Sequence, residues 1–464
     1  MANTLKVISP FDGASVGEAS LSESLDVEGA LEQAYRLFLD QDSWLKPAQR
    51  IEVLKKTAHI MTTERETLAL RIAKEGGKPL IDAKVEVDRA IQGVESAVGV
   101  IQHLHGREVP MALTPSTSSR LAFTIKEPIG VVVAISAFNH PLNLIVHQVI
   151  PAIIAGCPIV VKPSSATPLS CLRFVEILRE AGLPDGWCQA VVCSAELAEQ
   201  MATDPRVNFL SFIGSASIGW SLKSKLSPGT RCALEHGGVA PVVVDRDADL
   251  DLVVPALLKG AFYHAGQVCV SVQKIFAHHE IFKALSSRLA EGARKLRVGD
   301  PTLETTEVGP LINQNEVDRI EAWVQEAQES GGEILAGGER ISRNLYSPTV
   351  IANPSRGTKV SREEIFGPVV AVYSFKEARE VVAEINSMPL AFQAAVFTRE
   401  IDQAFYFVKR INASSVMIND HTAFRADWMP FGGRDSSGIG VAGIPYSAHE
   451  MTREKLIVFK SPSI

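Results

Sequence analysis

The stretch "GAFYHAGQVCVSVQK" carries Cys269 in a run of small residues, two positions after Gln267 and three after Gly266. A lone cysteine is ordinarily a small buried hydrophobe, whereas a reactive one needs a depressed pKa or a base close by. Two other residues bear on which of these it is. Glu235 in "ALEHGG" and Asn139 in "SAFNHP" each lie directly beyond a strand-like run, beside Gly or Pro. That placement puts a carboxylate and an amide donor at strand ends, where clefts form. A thiol with a carboxylate and an amide donor for company suits a nucleophile better than filler.

The elements that would position these groups are legible from periodicity. Between about residues 48 and 105 apolar residues recur at helical spacing, which predicts a helical entry layer. The texture then changes to buried β-branched runs separated by helical stretches: "GVVVAIS" (130–136), "PLNLIVHQVIPAIIAG" (141–156), "CPIVVKP" (157–163), "CQAVVC" and "VNFLSFIG". A second series runs from "PVVVD" near Pro241 through "KIFAHH" and "AAVFT" to "SSVMIND". Strands alternating with helices predict βαβ units and parallel sheets, hence an α/β fold with two such domains. The terminal "EKLIVFK" is a strand without a local partner; "RLAFTIKEP" (120–128) or another subunit would pair with it.

Composition excludes several classes. The formal net charge is −7 and the Lys and Arg residues are scattered, so no basic stripe exists for nucleic acid or anionic lipid. No apolar run is long enough to span a bilayer, and the start "MANTLKVISPFDG" is not signal-like, so a cytoplasmic location is expected. The cysteines at 157, 171, 188, 193, 232 and 269 form neither a CxxC pair nor a repeating framework, which argues for reduced thiols and no metal site. Two glycine clusters imitate phosphate loops. "GIGVAG" (438–443) follows a turn rather than a strand. "FIGSASIGW" has Trp220 where a P-loop needs Lys, yet it joins a strand to a helix and could offer N–H groups to a phosphate.

The segments "FNHP", "VVKPSS", "FIGSASIG", "LEHGG", "GQVC", "EEIFGP" and "PFGG", in this order over nearly the whole chain, resemble the aldehyde dehydrogenase superfamily. "GQVCVSVQK" and "NDHTAFRADWMPFGG" are most similar to its lactaldehyde and phosphonoacetaldehyde dehydrogenase branch. The resemblance implies two Rossmann-like domains, residues 1–109 with 129–236 for NAD(P) and 237–435 for catalysis. It also implies oligomerisation strands within 110–128 and 445–464, building a homodimer or homotetramer. Cys269 would be the nucleophile, Asn139 and the Cys269 N–H the oxyanion donors, and Glu235 the base that activates water. Lys162, Gly214, Ser215, Gly219, Gly237, Glu364 and Phe366 would hold the cofactor. Ser165 stands where many NAD-preferring members have glutamate, so both NADP and NAD fit.

Other departures matter. Gln148 and Ala442 replace a lysine and a glutamate implicated in proton relay in many members, so Glu235 would exchange its proton by another route. His236 replaces a common leucine. At substrate-tunnel positions His140, His147, His421, Arg425 and Arg89 favour an aldehyde with an anionic end, unless Arg425 is merely paired with Asp427, and Phe431 would supply an apolar wall. Val268 is not arginine, which keeps neutral aldehydes such as lactaldehyde in play. The rival readings are a cofactor-independent thioesterase or acyl-transfer enzyme, and a non-catalytic structural member of the fold.

Overall fold

The computed structural model describes residues 3–463. Two mainly parallel sheets form its centre. In the first the strands run Gly438–Ile439, Arg231–Glu235, Val207–Ile213, Val131–Ile135, Ile159–Lys162, Cys188–Ala190, all parallel except the outermost Gly438–Ile439. In the second the order is Glu333–Ala336, Thr349–Ala352, Val369–Phe375, Lys274–His278, Pro241–Val244, Gln393–Phe397, Ser415–Ile418, with only the first antiparallel. The β-branched runs form the central strands because both faces are covered by helices: Val131 to Val133 and Val242 to Val244 are completely buried.

The lone terminal strand finds its partner inside the chain. Thr452–Lys460 pairs antiparallel with Arg120–Pro128 along its full length, and Glu108–Val109 adds a third strand. The domain limits shift accordingly. Residues 108–109 belong to this small sheet rather than to the first domain, and the helix Ile444–Glu450 packs into the first core through Ile444 and Ala448. All six cysteines are free, and among the described residues no helix is long and apolar enough to cross a membrane.

One buried ion pair governs the region beyond strand Val131–Ile135. Helix Asn143–Ala155 starts without a capping side chain of its own. Glu86, from helix Leu80–His103, supplies the cap: its Oε1 accepts from the N–H groups of Leu142 and Asn143, both at 3.0 Å. Its other oxygen takes the Nζ of Lys78, which is as deeply buried. Burial, and to a smaller extent Arg89, pushes the Lys78 pKa down, and the paired carboxylate is what makes the charge tolerable there. Lys78 is placed by Gly77, whose φ of 70° and contact with the Pro310 and Pro10 rings exclude a Cβ.

Removing one member strands a buried charge, which typically costs about 3–5 kcal/mol. Glu86→Leu and Lys78→Met are each expected to lower stability by that amount in urea titrations. The double variant should lose less than the sum, because neither charge is then left alone; strict additivity would show that the pair is not coupled.

Candidate active site

Cys269 reaches its position through an unusual turn. Helix Leu250–Phe262 runs into Tyr263, after which His264, Ala265 and Gly266 all have positive φ (48°, 54° and 70°). Such conformations are costly for residues with a Cβ, so the neighbours must hold the turn. Gln267 does much of this: its Oε1 accepts from Ile312 N at 2.9 Å and its Nε2 donates to Pro310 O at 3.2 Å. Gln267 O in turn accepts from Asn139 Nδ2 at 2.9 Å. An amide nitrogen carries two hydrogens; one is thereby fixed and the other remains for a ligand. Cys269 follows two residues later, half-buried on the wall of a cleft of about 830 Å³, with its own backbone N–H beside its sulfur.

Glu235 ends its strand, held between Ile213 on one side and Gly438 on the other. It is 7% exposed, and its Oε1 accepts from no group among the described residues. Burial raises its pKa above the ordinary carboxylate value. The Cys269 thiol is pushed far up by burial and by the facing Glu235 and Glu364 carboxylates, so in this state it is protonated and needs a base. Glu364 itself is pushed up to about 8, mainly by burial.

The nucleotide end of the same cleft is lined by Lys162, Ser164, Gly214, Ser215, Gly237, Glu364 and Phe366. Several features fit a dinucleotide. Ser215 precedes helix Ala216–Lys225 without capping it, leaving first-turn N–H groups available to an anion. A Cβ on Gly237 would overlap the Glu364 carboxylate, and one on Gly214 would press on the Phe212 ring. Two expected cofactor residues lie elsewhere. Ser165 is exposed and its neighbour Ser164 forms the wall. Gly219 sits under the ring of His236, where a side chain would collide. That ring donates from Nδ1 to Gly214 O at 2.9 Å and packs edge-on to Phe212 and Trp220, which is what the change from leucine permits.

Arg425 and Phe431 line the cleft next to Cys269 and Glu235, with the guanidinium 3.5 Å from the Phe431 ring centre. Arg425 forms no ion pair with Asp427 among the described residues, so the surface pairing that its sequence neighbourhood allowed does not occur. Asp427 is taken by Arg89 Nη2 at 2.7 Å, Asn143 Nδ2 at 3.1 Å and His147 Nε2 at 2.6 Å. Burial opposes its charge, yet the His147 hydrogen bond and Arg89 outweigh this and hold its pKa far below the usual range. His147 does not face the cleft. Arg425 Nη2 donates to its Nδ1 at 3.2 Å, so Nε2 carries the proton given to Asp427, and burial keeps the ring neutral with a pKa near 4. His421 also leaves the cleft: its Nδ1 accepts from Ala423 N at 3.1 Å and its Cβ packs on Gly260. His140 and Arg89 do line the cleft, His140 bonded to Tyr263 OH at 3.0 Å.

Tyr263, Gln267 and Asn143 were not singled out from sequence, and Asp427 only as a partner for Arg425. Gln267 and Tyr263 flank the nucleophile in "FYHAGQVC", and Asn143 and His147 stand four apart on one helix face. Those spacings were the available signals.

The aldehyde dehydrogenase family model matches residues 1–457. The 3-sulfolactaldehyde dehydrogenase of Priestia aryabhattai is 36% identical over 458 residues, covering 98% of this chain and 95% of that protein. Aldehyde dehydrogenase 21 from Physcomitrella patens, solved with the reaction product succinate, superimposes with a TM-score of 0.95 at 33% identity, covering 99% of this chain and 95% of that one. Glyceraldehyde-3-phosphate dehydrogenase GapN from Methanocaldococcus jannaschii, complexed with NADP, gives 0.94 at 33% identity over 99% and 100% of the two chains. With the motif order, the two-sheet fold and full-length similarity in agreement, the chain belongs to the aldehyde dehydrogenase family of NAD(P)-dependent oxidoreductases.

Proposed function

We propose that the protein oxidises a small aldehyde with an anionic end, of the sulfolactaldehyde, phosphonoacetaldehyde, sulfoacetaldehyde or succinate semialdehyde type, to the carboxylic acid. The observation that carries this is Arg425 on the cleft wall: a half-buried arginine whose Nε is unpartnered and which has no carboxylate within ion-pairing distance among the described residues, although Glu235 and Asp427 lie near enough to favour its charge. A cation so placed gains from an anionic ligand group that can meet it directly. The sulfonate of the Priestia enzyme's substrate and the carboxylates of succinate are of that chemistry.

Glu235 takes the thiol proton, and the thiolate adds to the carbonyl carbon to give a thiohemiacetal. The free hydrogen of Asn139 Nδ2 and the Cys269 N–H bind the oxygen as its charge develops. NADP or NAD, when bound, would supply the hydride acceptor; loss of hydride from the thiohemiacetal carbon leaves a thioester on Cys269. Glu235 gives up the thiol proton to solvent and then deprotonates water; the hydroxide adds to the thioester, and the carbon–sulfur bond breaks to release the acid and the Cys269 thiolate. Lys162, Gly214, Ser215, Gly237, Glu364 and Phe366 hold the nucleotide. Both NADP and NAD are proposed, because Ser164, which forms the wall there in place of Ser165, carries no charge to repel a 2′-phosphate. Assembly into a homodimer or homotetramer uses the edge strand Thr452–Lys460, where Leu456, Val458 and Phe459 are exposed.

In a panel of aldehydes run with both cofactors, Arg425→Met should raise KM for anionic substrates by about tenfold to a hundredfold, the worth of a charged hydrogen bond. Lactaldehyde should be affected far less; an equal loss for both would remove Arg425 from substrate binding. Asn139→Ala should cut kcat by roughly a hundredfold or more, and near-wild-type turnover would rule out its assignment. Because the Glu235 pKa is raised, its basic form exists only above that value. Deacylation should therefore fall as pH drops through a midpoint above 4.5, and Glu235→Gln should abolish this acid limb in a kcat profile.

A further inference from the structure

His236 stands in a setting made for hydrocarbon. Its ring is 1% exposed, packs on the Phe212 and Trp220 rings, and lies so close to Gly219 that a Cβ there would collide with Cε1. Nε2 has no partner among the described residues. A side chain of carbon alone would fill this space without leaving a buried nitrogen unpaired. What the imidazole adds is one donor, the Nδ1–H given to Gly214 O at 2.9 Å.

That bond falls on one peptide group. Gly214 N–H is given to Glu235 O at 3.1 Å, so Gly214 is held on both sides of its Cα. The peptide joining Gly214 to Ser215 is trans and planar, which makes its C=O and N–H point in opposite directions. Drawing the carbonyl to His236 therefore turns the Ser215 N–H away from the ring. Ser215 lines the cleft, its N–H meets no acceptor among the described residues, and the uncapped helix Ala216–Lys225 begins directly after it. Without this tie a glycine leaves such a peptide free to swing. His236 is itself anchored, its N–H given to Ser437 O at 3.0 Å, while Trp220 Nε1 holds Ser436 O at 3.2 Å.

We propose that His236 is a positioning residue for the cofactor: by holding the Gly214 carbonyl it presents the Ser215 N–H to the pyrophosphate and so sets nucleotide affinity. The inference rests on the reading of Gly214 and Ser215 as the pyrophosphate contact. NADP and NAD share that group, so His236 strengthens the binding of both alike. ADP-ribose, which keeps the pyrophosphate and lacks the nicotinamide, gains equally.

Dissociation constants of the full-length protein for NADP, NAD and ADP-ribose, measured by titration calorimetry, test this. His236→Leu has no donor and should weaken all three by about three- to tenfold, the range of one neutral hydrogen bond. His236→Asn should bind within about twofold of wild type, because its Nδ2 stands where the ring Nδ1 stood. In steady state the His236→Leu loss should appear as a raised KM for the cofactor, with kcat kept at saturating nucleotide. Gly219→Ala gives an independent arm: its Cβ should displace the ring and weaken binding in the wild type, yet cost little in His236→Asn, which lacks the atoms it strikes. Thermal melts check folding, and if His236→Leu does not fold, the Gly219→Ala pair decides, equal weakening in both backgrounds refuting the proposal. Equal weakening by the leucine and asparagine variants would trace the effect to ring shape and overturn it, as would a loss confined to NADP. A fall in kcat with affinity kept would make His236 act on Glu235 instead, and also overturns it. Wild-type protein that binds none of the three removes the pyrophosphate assignment itself; if it binds them and folded His236→Leu binds as tightly, only the role of His236 falls.

Discussion

The carboxylate of Glu86 holds the site's architecture together. It ties helix Leu80–His103, which carries Arg89, to helix Asn143–Ala155, which carries Asn143, His147 and Gln148. The loop with Asn139 and His140 is suspended between strand Val131–Ile135 and that capped helix end. A cap provided by a remote, charge-paired side chain gives the loop one position. A solvent-exposed cap would let the first turn fray. The amide of Asn139 therefore meets Gln267 O from a rigid base, even though the loop itself has no regular structure.

A second constraint is the allotment of charges around Asp427. Its four hydrogen bonds, two from Arg89 and one each from Asn143 and His147, use its capacity. Arg425 is left to donate to a neutral imidazole nitrogen and to lie on an aromatic face. Neither contact neutralises it. The positive charge remains directed at the stretch of cleft wall that also carries Cys269 and Glu235.

The architecture was largely legible in the sequence, because the β-branched strand runs and the alternation with helices follow directly from burial on two faces. The placing of Glu235 and Asn139 at or just beyond strand ends was visible for the same reason. What could not be read was pairing across long separations. Asp427 lies 338 positions from Arg89 and 280 from His147, and which cation takes the carboxylate depends on how three elements pack. His147 and His421 have the composition of ligand residues but point elsewhere, because a helix face or a turn, and not residue type, decides direction. The helix Ile444–Glu450 was hidden in a segment rich in Gly, Pro and Ser, whose local propensity is weak and whose place is set by the core it completes.

Glu235 also lies at a seam in chain order. Its strand is covered on the outer side only by Gly438–Ile439, and the same lobe is closed by Ile444–Glu450 and Thr452–Lys460. About 200 residues are translated between the two edges, which at ~5–20 residues per second is on the order of 10–40 s. During that interval the nascent lobe carries an open sheet edge and an unfinished apolar core, features that invite mispairing. Birth on the ribosome thus leaves this lobe waiting for its own tail before its sheet edge and core can close.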